Sequence, residues 1–241
     1  MNHLDLIKRN LFKREEVKEA FGFGGSFYIN CKRSRERRKL FEAEAASHGI
    51  RPLRVEGFEP TEEEVEALGF TEWKLKRRVF GQVGCAVSHF TIIAEAKRLG
   101  LPSVLIFEDD ATFCEGWEKG IEHLSSELEA MEHVLDWDMV YLGGVPHGVK
   151  HPRISSAFFR SLGMWCTHAY AVHEAFFDSF LEWGTKQIAS IDSKMFHQAH
   201  LFNFLFYREP LNFQRDGESL IAGRQINRGG VIQNAYDSFP R

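Results

Sequence analysis

The sequence predicts an α/β sandwich with a largely parallel central sheet, and three observations carry that reading. Strand-like and helix-like segments alternate along most of the chain, the order that layers helices against a parallel sheet. Ser103 to Phe107 (SVLIF) is continuously apolar after its first residue, as a strand buried on both faces should be. That run ends directly in Glu108-Asp109-Asp110, at the strand end where open α/β sheets hold their ligands. A length of 241 residues suits one such domain, with or without a small appendage.

The elements follow in order. Residues 1–25 read as a helical lead, in which Leu4, Leu6, Ile7 and Leu11 form a weak apolar face and Gly22, Gly24 and Gly25 end the pattern. Ser26 to Cys31 (SFYINC) is aromatic and β-branched, hence a strand. It leads into a helix over Lys32 to His48 that stops near Gly49, and Arg51 to Val55 forms a second strand. Thr61, with Glu64 three residues on, makes a capping box that opens a short helix to Leu68. Gly84 to Leu99 has a helical period and is stopped by Gly100 and Pro102. After SVLIF come a helix over Glu115 to Met131, a strand over Asp138 to Leu142 and a break at Gly143-Gly144. Thr167 to Val172 into Glu174 to Trp183, and then Ile191 to Tyr207, read as further strand-then-helix units. A domain over 26–223 is followed by a polar tail, 224–241, expected to be loosely held.

Composition narrows the function. The 22 Phe residues predict an interior of flat, bulky side chains. A net charge of −4 argues against a protein built mainly to grip nucleic acid, although Lys74 to Arg78 (KLKRR) leaves a local basic site open. Cys31, Cys85, Cys114 and Cys166 are scattered without metal-knuckle spacing. Cys31 and Cys85 stand in apolar stretches and read as buried thiols, which suits a reducing compartment. Met1 to Glu19 lacks the apolar centre of a signal peptide, and no run approaches the roughly 18 apolar residues of a membrane span. The expectation is a cytoplasmic protein, with any membrane contact peripheral and at the inner face.

The acidic triplet carries the strongest chemical signal. In an extended chain Glu108 and Asp110 point to one side and Asp109 to the other. Adjacent carboxylates repel unless something positive sits among them. A hard divalent cation, Mg²⁺ or Mn²⁺, resolves that repulsion, and such an ion can hold a diphosphate and neutralise it as it leaves. A solvated turn before a helix is the competing reading.

The context of the triplet resembles a known family. Gly81-Gln82-Val83-Gly84-Cys85-Ala86-Val87-Ser88-His89, followed by a helix and by Leu105-Ile106-Phe107-Glu108-Asp109-Asp110, is similar to glycosyltransferase family 25. Its members include lipooligosaccharide and collagen galactosyltransferases. Ile29-Asn30-Cys31-Lys32-Arg33-Ser34-Arg35-Glu36-Arg37 resembles the family's opening motif, and Met139 to Gly143 its central strand. Thr167-His168-Ala169-Tyr170, Ile191-Asp192, and Gln214 with Ser219 resemble later motifs, in order. The resemblance spans roughly residues 26–221; Cys31, Lys32 and Ile191 depart mildly from the pattern. It implies a GT-A-like nucleotide-sugar-binding sandwich and an inverting, metal-dependent transferase moving galactose or glucose from a UDP-sugar. The acceptor is a hydroxyl on a glycan, a lipid-linked sugar or a protein.

Further residues take roles within that reading. Glu108, Asp109 and Asp110 are the metal candidates, Asp110 foremost for direct coordination. Arg33 and Arg37, one turn apart on the basic helix, could grip phosphate near a helix N-terminus; Arg35, Arg38 and Lys39 read as solvated. Tyr28 and Asn30 are assigned base stacking and an amide edge. Ser88 and His89, early on the Gly84 helix, are candidate donor contacts, and His89 either is structural, orients a carboxylate or touches the donor. His197 and His200 are further metal candidates. Asp192 is either a helix cap or the base that deprotonates the acceptor hydroxyl, with Glu174 the alternative base. Competing functions are a transferase for a modified nucleic-acid base and a non-catalytic nucleotide-sugar-binding protein.

Overall fold

The computed structural model describes residues 1–10, 17–70, 76–131, 134–147, 150–186, 190–218, 225–226 and 229–237. Leu11, Lys74, Leu75 and Ser219 lie outside them, and with them the larger part of the question raised by the KLKRR cluster. The first half runs α1 (His3–Asn10), β1 (Ser26–Asn30), α2 (Arg35–Ser47), β2 (Leu53–Glu56), α3 (Glu62–Ala67), α4 (Lys76–Arg98), β3 (Ser103–Glu108), β4 (Ala111–Phe113) and α5 (Trp117–Met131). The second half runs β5 (Met139–Tyr141), β6 (Val145–Pro146), β7 (Phe158–Arg160), β8 (Met164–Trp165), β9 (Ala169–His173), α6 (Glu174–Trp183), α7 (Ile191–Gln198), β10 (Phe204–Tyr207), β11 (Asn212–Gln214), β12 (Gly217–Glu218), β13 (Gln225–Ile226) and α8 (Gly229–Asp237).

Among the described residues the central sheet has seven strands in the order β2-β1-β3-β9-β5-β10-β7. β1 lies parallel to β2 and β3, and β10 parallel to β5. β9 runs antiparallel between β3 and β5, and β7 antiparallel to β10. The expected α/β sandwich with a largely parallel sheet is therefore present, with β9 as the reversed strand at its centre. Alternation divides the core. Phe27, Val104, Ile106, Tyr170 and Val172 pack on the side of α4 and α6. Tyr28, Leu105, Phe107, Val140 and Ala171 pack on the other side with Phe41 of α2 and Trp117 of α5.

The capping box forms as read: Thr61 N–H donates to Glu64 Oε2 at 2.8 Å, and the Thr61 hydroxyl accepts from Glu64 N–H. α4 begins at Lys76 rather than Gly84, because Gly81 and Gly84 interrupt propensity without breaking the hydrogen-bond ladder. By length and composition α4 could cross a membrane, yet Val83, Val87, Phe90 and Ile93 are fully buried inside the fold. Ile191 to Tyr207 holds its elements in the reverse of the expected order, helix α7 before strand β10. The segment expected as a loose tail contains α8, whose Ile232 and Tyr236 are buried in the α4-side core. In α1, Leu6 and Ile7 join that same core.

Candidate functional site

The site assembles at the carboxyl ends of β1 and β3. The register Ile29↔Glu108 aligns those ends. Beside them lies a cavity of about 540 Å³, within the range of small-molecule sites. Its walls include Phe58 and Phe80, its mouth Arg33 and Glu59, and its floor Cys85, His89 and Glu108. α4 reaches this floor because residue 84 is glycine: a Cβ there would collide with the Phe58 carbonyl oxygen. The Ser88 hydroxyl fastens the contact, accepting from Phe58 N–H at 2.8 Å and donating to Gly84 O at 2.7 Å. These two bonds make Ser88 part of the scaffold, and it also lines the cavity.

Strand alternation separates the first two carboxylates, and a turn redirects the third. Glu108, last residue of β3, faces α4: His89 Nε2 stands 3.5 Å from its Oε1, and the Thr167 hydroxyl donates to that oxygen at 2.5 Å. Thr167 is presented from Cys166, whose φ of 75° is strained for a side-chain-bearing residue. Burial opposes ionisation of Glu108, but the His89 ring and Thr167 outweigh it and leave the carboxyl at about 2. Asp109 faces α2, where Asn30 Nδ2 donates to its Oδ2 at 2.7 Å and Arg37 forms an ion pair with it. Burial raises Asp109 to about 6 despite the Arg37 charge.

Asp110 leaves the strand and does not simply converge with Glu108. Arg37 Nη2 pairs with its Oδ2 at 2.9 Å, and Gln214 Nε2 donates there at 3.2 Å. β11 brings Gln214 into place by pairing with β4. Its other oxygen, Oδ1, is buried with no hydrogen-bond partner among the described residues. Burial, then the Glu108 charge, push Asp110 upward against Arg37. An anionic oxygen left bare in an acidic cluster fits a hard cation, so the residues suit Mg²⁺ or Mn²⁺ at Asp110 with Glu108 or Asp109 alongside.

Several expected contacts are corrected. Arg33 lies before α2, not within its first turn; it is exposed and bridges to Glu59 at 2.8 Å across the cavity mouth. Arg37 does not wait for phosphate, since Asp109 and Asp110 hold it. Asn30 has no amide edge to offer a base: Nδ2 donates to Asp109 and Ser34 O, and Oδ1 accepts from Arg54 at 3.0 Å. Tyr28 points to the opposite side of the sheet from Ile29, stacked on Phe41 at 4.6 Å and donating to Glu42. Glu174 sits at the far rim, next to His173, which pairs with Ser103 at the start of β3, whereas Ala169 pairs with Phe107 at its end. That separation of about 13 Å along a strand removes Glu174 as a base for chemistry at Glu108. His197 and His200 are exposed at the end of α7; His89 and His168 are the histidines whose charge reaches Glu108.

Asp192 is retained. It is not the cap of α7, a position held by Ser190. Its charge acts on Cys85 and Tyr141, whose burial already pushes the thiol and phenol upward. Sequence reasoning passed over Phe58, Phe80 and Glu59, which carry no motif, and His168, whose charge also lowers Asp110.

Comparison with known proteins points to one family. The family described as glycosyltransferase family 25 (LPS biosynthesis protein) matches residues 24–143, which include β1, α4 and the triplet. Procollagen galactosyltransferase 1 of Danio rerio is 31% identical over 156 residues, covering 60% of this chain and 25% of that protein. Procollagen galactosyltransferase 2 of Homo sapiens is 27% identical over 146 residues, 56% of this chain and 23% of that one. The inactive glycosyltransferase 25 family member 3 of Homo sapiens is 43% identical over 63 residues, 26% of this chain and 10% of its own length. The chain thus spans about a quarter of the procollagen galactosyltransferases it matches.

Proposed function

Because the chain belongs to glycosyltransferase family 25, we propose that it transfers a hexose, galactose ahead of glucose, from a UDP-sugar to an acceptor hydroxyl with inversion. The observation that carries this reading is the bare, buried Asp110 Oδ1 beside a cavity of nucleotide-sugar size. Asp110 and Glu108 would hold Mn²⁺ or Mg²⁺, which supplies charge neutralisation for the departing diphosphate. The cation would displace Arg37 from Asp109 and Asp110, and the freed guanidinium would then be available to the phosphates. Phe58 or Phe80 offers the apolar face on which a uracil ring can stack.

Asp192 acts from the α7 side as the base for the acceptor hydroxyl; one-step inversion needs that base across the sugar from the leaving group. Galactose and glucose differ in one hydroxyl, and a polar group paired or stranded there discriminates strongly. The acceptor is a glycan, a lipid-linked sugar or a protein, met along the loops between β5 and β8.

A second reading, a nucleotide-sugar-binding protein without turnover, is favoured by one observation: Arg37 already fills the cation position between Asp109 and Asp110. A panel of nucleotide sugars with Mn²⁺, scored by released nucleotide, separates the two. UDP release from UDP-galactose or UDP-glucose supports the transferase. Tight UDP binding without release supports the binder, and turnover of GDP- or CMP-sugars alone defeats the donor assignment.

A further inference from the structure

We infer that Cys85, His89 and Glu108 form a binding site for a thiophilic divalent cation of the zinc class, set in the cavity floor and chemically distinct from the all-oxygen position at Asp110. The inference stands whether or not the chain transfers a sugar.

Three observations support it. Cys85 and His89 are four residues apart on α4, which puts both side chains on one helix face, and that face is turned toward the end of β3. The Cys85 thiol, a His89 ring nitrogen and a Glu108 oxygen all lie within 4.8 Å of one another. A zinc-class ion about 2.0–2.3 Å from each ligand sets tetrahedral ligand atoms roughly 3.4–3.7 Å apart. The His89–Glu108 separation of 3.5 Å already meets that spacing, and the Cys85 sulfur lies within 4.8 Å of both atoms.

The second observation is His89 itself. The residue is fully buried, and its Nε2 faces Glu108 Oε1 at 3.5 Å, too long for a full hydrogen bond. A buried imidazole nitrogen and a carboxylate oxygen held at that spacing leave room for a cation between them. The opposite nitrogen, Nδ1, is held by the Tyr170 hydroxyl at 2.7 Å, which is how a ligating histidine is fixed by its neighbours. Thr167 steadies the Glu108 carboxylate in the same way.

The third is the ligand chemistry. A thiol, an imidazole and a carboxylate together suit borderline ions, whereas Mg²⁺ prefers oxygen alone. Three protein ligands leave a fourth position open to the cavity, where water completes the shell. On loading, the Cys85 S–H bond breaks heterolytically, its proton leaves to solvent, and the sulfur electron pair forms the bond to the ion; nothing is oxidised or reduced. Glu108 is common to this site and the oxygen site, so zinc-class ions antagonise Mn²⁺ at Asp110.

The test is Co²⁺ titration of the metal-stripped full chain, followed by absorption. The expected result is a near-ultraviolet thiolate-to-cobalt band with the intense visible bands of four-coordinate Co²⁺, saturating at one equivalent and erased by Zn²⁺. Cys85→Ser loses the near-ultraviolet band. Cys31→Ser, whose sulfur also lines the cavity, keeps it. Asp110→Asn keeps it too while losing Mn²⁺-dependent UDP binding, so this inference and the proposed function fail separately. Absence of the thiolate band in the unaltered chain, or its survival in Cys85→Ser, overturns the inference. If Cys85→Ser does not fold, alkylation of the unaltered chain decides: Zn²⁺ slows labelling of Cys85 at least tenfold, and unchanged labelling overturns the site.

Discussion

Arg37 and Asp110 form a 2.9 Å ion pair at the edge of the cavity, and the same guanidinium pairs with Asp109. The positive charge that an acidic triplet demands is supplied by the chain's own α2. Burial works against the Arg37 charge, but Asp110, Asp109 and Glu108 outweigh it and raise the guanidinium further. Any external cation must therefore compete with Arg37 for Asp110, and the two states of the site differ in where one side chain points.

That competition gives the first prediction. Arg37→Gln strips the carboxylates of their internal counter-charge, so the metal-free protein loses on the order of 1–3 kcal/mol, below the full penalty for an unpaired buried charge because Arg37 is partly exposed. Mn²⁺ should restore much of the loss and bind more tightly than to the unaltered protein. Melting curves in chelator and in Mn²⁺ check this; equal melting in both proteins under both conditions removes Arg37 from the electrostatics of the site.

Asp110→Asn makes the second. Its bare Oδ1 loses its charge while Gln214 and Arg37 still find an oxygen at the other position. Folding should survive, and Mn²⁺-dependent affinity for UDP should fall more than tenfold. Calorimetry with UDP in Mn²⁺ and in chelator reads it directly. Metal-dependent affinity that persists unchanged moves the cation away from Asp110.

How far the sequence foretells this site varies by residue. The apolar run of β3 ending in acids is a local pattern, and two-fold alternation correctly sends Glu108 and Asp109 to opposite faces. Alternation fails at Asp110, because β3 ends at Glu108 and a turn intervenes. The same alternation on β1 separates Ile29, which lines the cavity, from Tyr28, which cannot. Tyr28 therefore belongs to the α2-side core with Phe41, not to the cavity. Arg37 with Asp110, and Gln214 with Asp110, join residues 73 and 104 positions apart, and no local pattern encodes such pairs. The Phe58 wall depends on Gly84 admitting a carbonyl, a constraint visible only once the helix and loop are in contact.

Asp109 yields a pH prediction. Burial raises its folded value to about 6, against roughly 3.9 in the unfolded chain. A raised acid binds its proton more tightly when folded, so its contribution favours the fold below about pH 4. That contribution is lost as pH rises from about 4 through 6, and it is constant above. The full swing is at most on the order of 2–3 kcal/mol. Glu108, depressed to about 2, acts in the opposite sense and over a lower window, so the two separate. Metal-free Asp109→Asn should melt higher than the unaltered protein at pH 7 and show no such advantage at pH 4. A difference that does not vary between those pH values contradicts the assignment.

The last prediction concerns Asp192, where two roles forecast different measurements. Ser190 holds the cap position of α7, and Asp192 follows it within the first turn, accepting from Ser193 N–H at 2.7 Å. As a purely structural group it contributes the favourable interaction of a negative charge with a helix N-terminus, about 0.3–1 kcal/mol. Its replacement would then lower melting slightly and leave turnover per folded molecule unchanged. As the base for the acceptor hydroxyl it should matter little to folding or to UDP binding, both of which depend on β1, β3 and α4. Asp192→Asn should then slow transfer by about 10²-fold or more while calorimetric UDP affinity stays within a factor of two or so. The rate with acceptor should fall far more than donor hydrolysis by water, since a water nucleophile can shed its proton to bulk solvent. Equal losses in transfer and hydrolysis would place Asp192 on the donor side, and an unaltered transfer rate would leave it a helix residue alone.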